Sequence, residues 1–216
     1  HSMRAGFLLE SGWYRSDIEN NYLGRFTFAS LDDYAAGRPS TYTRRVGDPL
    51  VEYSQWQLGL FAQDDWRAAQ NLTISFGVRQ EMQANLGDKL NLSPRFGMTW
   101  SPFKSGRTTV RGSLGVFHDW LDATVYEQTL QVDGLRQQDI VVRNPGYPDY
   151  LSGGADQMVL PASRYVFADD LTMPVSVRAS AGIQQQLIPN VAANVMYAFS
   201  RGYNRFRGRN INAPDP

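Results

Sequence analysis

One histidine and a group of carboxylates are the side chains in this sequence best suited to chemistry. His118 is the only histidine beyond the first residue, and Asp119 follows it directly. With Asp64, Asp65 and Asp122 it could form a cluster that activates water or binds a divalent cation. Neighbouring residues on a strand point to opposite faces, so His118 and Asp119 can share a ligand sphere only if the strand bends. We therefore expect no catalytic site. The alternative is a hydrolase of small esters or lactones that uses His118, Asp119 and Asp65.

Other catalytic and metal-binding patterns are weak. The chain has no cysteine, which excludes a thiol nucleophile, a disulfide framework and a zinc ribbon. No G-x-S-x-G motif is present to suggest a serine nucleophile. Acidic residues in one long segment could bind calcium, although they lack the spacing of a calcium-binding loop. We expect no cofactor, with calcium as the alternative. These acidic residues are Asp133, Asp139, Asp149, Asp156, Asp169 and Asp170.

Charge and hydropathy exclude two further classes of protein. The 216 residues include 21 basic and 21 acidic side chains, so no basic excess is available to bind nucleic acid. The mean hydropathy of −0.41 and the absence of an 18-residue apolar run exclude a membrane-spanning helix. A membrane strand stays compatible with these values, because alternation keeps the average low while one face is apolar.

The elements that must position these side chains are strands. Apolar and polar residues alternate along six segments, as in 72–82, where Leu72, Ile74 and Phe76 face away from Thr73 and Ser75. A seventh strand is expected around residues 4–13. The i, i+3, i+4 pattern of an amphipathic helix is not present. The predicted strands are 4–13, 54–66, 72–82, 93–101, 108–118, 173–187 and 191–200.

Strand length and loop length favour a barrel in a membrane. The strands exceed the typical globular length of about 5–6 residues and match the roughly 9–11 residues that cross a bilayer at a tilt. Short turns alternate with long loops at 14–53 and 121–172, as in outer-membrane barrels. The polar face carries Arg79, Arg95, Arg111 and Arg178, which a hydrated lumen would accept. The alternative is a soluble antiparallel sheet with solvated arginines and core tryptophans. The aromatic residues near the ends of the apolar face, typical of an interfacial girdle, are Trp56, Trp66, Trp100, Trp120 and Phe199.

We therefore predict an all-β fold. Long antiparallel up-and-down strands would form a partial or small β-barrel with long loops on one side. Residues 1–3 are interpreted as an expression scar, 4–212 as a single barrel fragment and 213–216 as a tail. An apolar face and two sheet edges invite aggregation in water. We therefore expect that segments 22–28 and 139–143 add strands, that chains pair, or that the face with Leu72, Ile74 and Phe76 turns into a closed core.

Six motifs follow one another along nearly the whole chain. They are LFAQDDWR at 60–67, NLTISFGVR at 71–79, LSPRFG at 92–97, VRGSLGVF at 110–117, VMYAFSRG at 195–202 and NINAP at 210–214. In this order they resemble the barrel of TonB-dependent outer-membrane receptors of the Oar-like group. The stretch from GRFTF at 24–28 to GRP at 37–39 resembles one of their external loops.

The resemblance implies energy-coupled uptake of a nutrient or other ligand through a 22-stranded, plugged barrel in the outer membrane. The sequence has no plug and no TonB-contacting segment, and an odd number of predicted strands does not fit a complete bacterial barrel. We expect a receptor fragment that is not transport-competent alone. Its expected partners are outer-membrane lipid, a small-molecule or peptide ligand, the remainder of the receptor and further copies of itself, but not nucleic acid. The alternative is a small stand-alone barrel, either the hydrolase above or a binder of an amphipathic ligand.

Overall fold

A computed structural model describes residues 1–154, 158–161 and 163–211. Within them the chain forms two short helices, α1 (Leu31–Ala35) and α2 (Ala123–Gln131), and eleven strands. The strands are β1 (Ser2–Asp17), β2 (Arg25–Thr27), β3 (Thr41–Gly47), β4 (Leu50–Ala69), β5 (Leu72–Gln83), β6 (Asn91–Trp100), β7 (Thr108–His118), β8 (Gln137–Arg143), β9 (Met158–Leu160), β10 (Val175–Ile188) and β11 (Val191–Tyr203). The predicted tail at 213–216 and the end of the NINAP motif lie outside the described residues.

The seven long strands form one sheet in the order β1-β4-β5-β6-β7-β10-β11. Each strand from β4 to β11 pairs antiparallel with its neighbour in this order. The structure thus confirms the predicted all-β fold and its long up-and-down strands. Among the described residues the sheet is open, with β1 and β11 at its edges.

One face of this sheet is apolar, and no other described part of the chain covers it. Phe76, Phe96 and Leu114 lie opposite one another on β5, β6 and β7, and they are 47%, 48% and 53% exposed. Leu72 and Ile74, on the same face of β5, are partly exposed. The structure therefore contradicts the alternative in which this face turns inward to form a closed core. The period of two in the sequence places these side chains together, but within the described ranges no second layer covers them.

A small core lies at one end of the sheet. Leu86, Leu121 and Met173 are almost fully buried there. The amide of the fully buried Gln83 bonds both backbone groups of Leu121, accepting at 2.8 Å and donating at 2.6 Å. This pairing satisfies groups that would otherwise be costly to bury.

The chain divides into two compact units. The first contains the described residues of His1–Ser11, Trp56–Leu121 and Asp169–Pro216, and the second those of Gly12–Gln55 and Asp122–Ala168. In the second unit β2, β3, β8 and β9 form a four-stranded sheet, and the side chains of Tyr42, Val51 and Val142 are buried. Both loop segments expected to add strands do so, as β2 and β8.

An ion pair lies in register within this second sheet. Arg45 of β3 is opposite Asp139 of β8, and two guanidinium nitrogens donate to the two carboxylate oxygens at 2.8 and 3.1 Å. The hydrogen bond to Asp139 raises the pKa of Arg45 further above its usual value. A paired, half-buried guanidinium of this kind fixes the register of β3 on β8.

The two helices are a correction to the sequence-based prediction. Ser30 caps α1 by accepting the backbone N–H of Asp33 at 3.0 Å, and Asp122 caps α2 by accepting that of Thr124 at 2.8 Å. The helices contain five and nine residues, and periodicity needs a window of roughly 11–18 residues to be counted. Among the described residues no helix is long and apolar enough to cross a membrane.

Candidate ligand-facing surface of the seven-stranded sheet

The polar face of the sheet carries a row in which glycine alternates with arginine. Side chains on one strand alternate between faces, so laterally paired residues share a face. In this row, two arginines are therefore separated by a residue without a side chain. The residues in lateral register, from β4 to β11, are Gln63, Gly77, Arg95, Gly115, Arg178 and Ser200.

The ring of Phe117 contacts the guanidinium groups of both arginines. Phe117 lies two residues from Gly115 on β7, and its ring centroid is 4.5 Å from the guanidinium carbon of Arg95 and 5.0 Å from that of Arg178. Each guanidinium is attracted by the electrons of the ring. A Cβ atom at Gly115 would lie 3.0 Å from the Phe117 ring, so only glycine leaves the ring this room. Phe117 is an aromatic residue on the polar side of its strand, and this break in the alternation is the sequence signal that could have revealed it.

A third arginine on this face is neutralised by a neighbour. Arg79 donates to Glu81 at 2.6 Å, and Glu81 is only 5% exposed. A Cβ atom at Gly59 would collide with the Arg79 guanidinium, so this glycine leaves room for the pair. Breaking the pair would leave the buried carboxylate without its counter-ion, which is costly.

A trough of about 380 Å³ runs over β4, β5 and β6. Gln63, Asp65, Arg79 and Arg95 line it, together with Gly77, where a Cβ atom would lie 2.9 Å from that of Gln63. The trough therefore offers hydrogen-bond donors, two guanidinium groups and one carboxylate. Polar groups around a cavity of this size are typical of sites that bind small molecules.

The structure brings His118 next to a serine that the sequence did not single out. Ser93 Oγ and His118 Nδ1 are 2.9 Å apart, which is the distance expected between a nucleophile and its base. Ser93 is fully buried, however, with 0% of its surface exposed. An acyl group cannot reach a hydroxyl in this position, so the pair can lock β6 to β7 but offers no accessible nucleophile.

Asp65 does not join His118, and among the described residues no hydrogen bond or ion pair links the Asp119 carboxylate to His118. Asp65 accepts a hydrogen bond from Ser75 at 2.6 Å and pairs with Arg4. The strand pairing from β4 across β5 and β6 places Asp65 in register with Ser113 of β7. His118 lies five residues beyond Ser113 on β7, which is roughly 17 Å along the strand at ~3.4 Å per residue. The backbone N–H of Asp119 donates to Pro174 at 2.9 Å.

The other carboxylates first considered for a cation are dispersed. Asp64 accepts the backbone N–H of Ser2 at 3.1 Å, and Asp122 caps α2. Across the part of the chain that the structure describes, no three histidine or acidic side chains are close enough to hold a metal ion.

Three of the six acidic residues proposed for calcium, Asp133, Asp139 and Asp149, have partners within the chain. Asp133 accepts three backbone N–H groups, from residues 135, 136 and 137, at 2.8, 2.8 and 3.3 Å. Although burial raises the pKa of Asp133, these hydrogen bonds outweigh it and hold the pKa below its usual value. Asp149 accepts the N–H of residue 151 at 3.0 Å, and Asp139 is paired as described above. Residues 169 and 170 form a turn, and Asp156 lies outside the described residues.

The comparison with protein families decides the broad identity. The family model described as "Outer membrane beta barrel domain" matches residues 1–88 and 85–216. The chain belongs to this family. No curated protein matches it. The outer-membrane β-barrel family places the protein in the outer membrane, and it accounts for an exposed apolar face on strands of 10–20 residues.

The long loops of this outer-membrane barrel chain contain a cluster of aromatic rings within the second unit. Tyr42 stacks on Tyr150 with ring centroids 4.3 Å apart, and Phe26 contacts Tyr42 at 4.7 Å. Tyr147 meets Phe26 edge-on at 5.2 Å and remains 50% exposed. The cluster therefore combines a packed interior with two exposed rings, those of Tyr34 and Tyr147. Its members are Phe26, Phe28, Tyr34, Tyr42, Tyr147 and Tyr150.

Proposed function

We propose that this chain is a wall segment of a TonB-dependent outer-membrane receptor of the Oar-like group, which binds and takes up a small-molecule or peptide nutrient. The observation that carries the proposal is the open sheet of seven membrane-length strands, apolar on one face and polar on the other. The order of the six motifs along the chain supports the receptor group in particular.

The open edges favour a larger barrel over a small closed one. In lipid every backbone N–H and C=O group must be paired, so β1 and β11 each need a partner strand on their outer side. Further strands would supply these partners and close a barrel wide enough for a plugged lumen. Seven strands alone do not perform coupled transport. The loop regions 14–53 and 121–172, with their exposed aromatic residues, are proposed to contact the ligand.

Amide hydrogen exchange of the purified chain in detergent micelles tests the wall assignment. We expect the backbone amides on the unpaired edges of β1 and β11 to exchange much faster than the amides of β6. β6 is paired on both sides and serves as the internal control. Slow amide exchange at both edges also supports the assignment if native mass spectrometry shows a dimer, because the second copy then supplies the partner strands. Slow exchange in a monomer contradicts it and indicates a small closed barrel.

Crosslinking in cells tests the receptor assignment. The natural protein is enriched from formaldehyde-treated cells and probed for TonB, with a family member of known TonB independence as the negative control. We expect a TonB adduct that is absent from the control. If the natural protein yields no adduct under conditions where a known receptor does, the receptor assignment is wrong and the outer-membrane barrel assignment stands.

A further inference from the structure

We propose that Arg95, Phe117 and Arg178 form a binding site for a solute with a doubly charged anionic group, of which phosphate is the simplest. All three residues lie on the polar face of the seven-stranded sheet, within the first unit. The site deepens the proposed role of the sheet as the wall of a ligand-conducting barrel, because it names the class of solute that the wall recognises.

The charge on this part of the face is uncompensated. The two carboxylates on the neighbouring strands are already paired, Glu81 with Arg79 and Asp65 with Arg4. Among the described residues neither Arg95 nor Arg178 forms an ion pair, and both side chains are exposed. Two exposed, unpaired guanidinium groups attract an anion and lose little hydration when they bind it.

Phe117 pre-organises the two guanidinium groups. Both lie within 5.0 Å of the same ring centroid, so a single side chain restrains two otherwise flexible arginines. A guanidinium group attracted to a ring keeps its in-plane N–H donors available, and these match the spacing of two oxygens of a phosphate or carboxylate. The lateral register contributes as well, because Gly115 lies between Arg95 and Arg178 and leaves room for the Phe117 ring that both contact.

A buried hydroxyl without a partner is a second observation at the same place. Ser176 lies directly opposite Phe117 on β10 and is only 8% exposed. Its Oγ atom makes no hydrogen bond in the described part of the chain. Buried hydroxyl groups are normally paired, and an unpaired one opposite the residue whose ring contacts both arginines is consistent with a ligand oxygen as its missing partner.

Isothermal titration of the purified chain in detergent micelles at low ionic strength tests the site with three probes. Inorganic phosphate and succinate represent the two chemical sources of a doubly charged group, and acetate is the singly charged reference. We expect phosphate, succinate or both to bind at least about tenfold more tightly than acetate, because each engages both arginines. The stronger of the two identifies the class of solute. Equal binding of all three anions, or none, overturns the proposal.

Four variants assign the binding to this site. Arg95→Gln and Arg178→Gln should each weaken binding of the preferred anion about tenfold, the effect of losing one charge-assisted hydrogen bond. Arg95→Lys should retain part of the affinity, since it keeps the charge but loses the fork. The matched control is Arg111→Gln, which removes a charge from the same face but from a residue that contacts Gln184 at 2.9 Å and not Phe117. Arg111→Gln should change the affinity for the anion less than twofold, because an exposed charge that does not contact the ligand contributes little to the binding free energy.

The outcomes separate this inference from the receptor assignment. An equal loss in Arg111→Gln and Arg95→Gln would show a general charge effect and would overturn the site. Phe117→Leu tests the positioning role, because it should broaden and shift the side-chain N–H signals of Arg95 and Arg178 in NMR spectra while the backbone signals of β6 and β10 persist. Unchanged arginine signals would overturn that role. A failure of TonB crosslinking leaves the titration result intact, and a failure of the titration leaves the crosslinking result intact.

Discussion

The seven-stranded sheet and the four-stranded unit place the same kinds of apolar residue in opposite environments. On the large sheet Phe76 and Leu114 are 47% and 53% exposed. In the second unit Tyr42, Val51 and Val142 are 5%, 1% and 0% exposed. The second unit therefore has the core of an ordinary water-soluble fold, whereas the large sheet presents its apolar face outward, toward lipid.

The difference shows that burial of apolar surface stabilises the two regions through different partners. In the second unit, side chains of β3 and β8 are removed from water by other side chains of the same chain. On the large sheet the bilayer takes that role, and the backbone hydrogen bonds between strands hold the sheet together. Substitutions in the second unit should therefore lower the stability of that unit in water. Substitutions on the apolar face of the large sheet should lower the stability of the sheet in lipid.

The largest effect is expected from a charge in the core of the second unit. Val142→Asp buries a carboxylate at a site with no exposed surface and should cost more than about 4 kcal/mol, enough to unfold this unit. Amide hydrogen exchange should show loss of protection in β3 and β8, with β5 and β6 still protected. Val142→Ala is the milder control. Loss of protection in both units would show that the two units do not unfold independently.

A charge on the apolar face of the large sheet should have a smaller and solvent-specific effect. Leu114→Arg should destabilise the sheet in lipid vesicles by about 2–4 kcal/mol, since a cation on the lipid face is costly. The matched control is Ser113→Arg, one residue away on the polar face, with an expected change of about 0.5 kcal/mol or less. Denaturant titration in vesicles measures both. Equal costs at the two positions would refute the assignment of the faces.

A local effect of about 1 kcal/mol is expected at Asp133. Asp133→Ala removes the acceptor of three backbone N–H groups, and loss of such a cap typically costs that amount. The pKa of Asp133 is lower in the folded chain, so its contribution is fully present above the unfolded pKa of about 3.9 and is lost as the pH falls through the folded pKa. Stability of the second unit, measured between pH 6 and about pH 2, should fall less in the variant than in the natural sequence. Identical pH profiles would show that Asp133 makes no such contribution.

The smallest effect is expected at His118. Because Ser93 is fully buried, the Ser93–His118 pair should not support hydrolysis. The natural chain and His118→Ala should hydrolyse small esters and lactones at the same background rate, measured in the same micelles. A rate that is reproducibly higher in the natural chain would favour the hydrolase alternative over the receptor.

Strands and faces were accessible from the sequence because the signal is local. The period of two identified six of the seven long strands, and the bounds of β7 agree at both ends with the predicted 108–118. The helices α1 and α2 were missed because they are too short for a helical period to be counted. Only part of the candidate site could be predicted. The alternation placed Arg95 and Arg178 on the polar face, but no pattern within a single strand connected them to Phe117.

The sequence by itself determined the long antiparallel strands, the apolar and polar faces and the membership of an outer-membrane barrel family, since each depends on residue types at fixed spacing along one strand or on ordered motifs. Only the tertiary structure decided which residues meet across strands. Lateral register places Gly115 between Arg95 and Arg178, and packing between β6 and β7 buries Ser93 beside His118. A shift of one residue in the pairing would turn each of these side chains to the other face without changing any pattern within a strand.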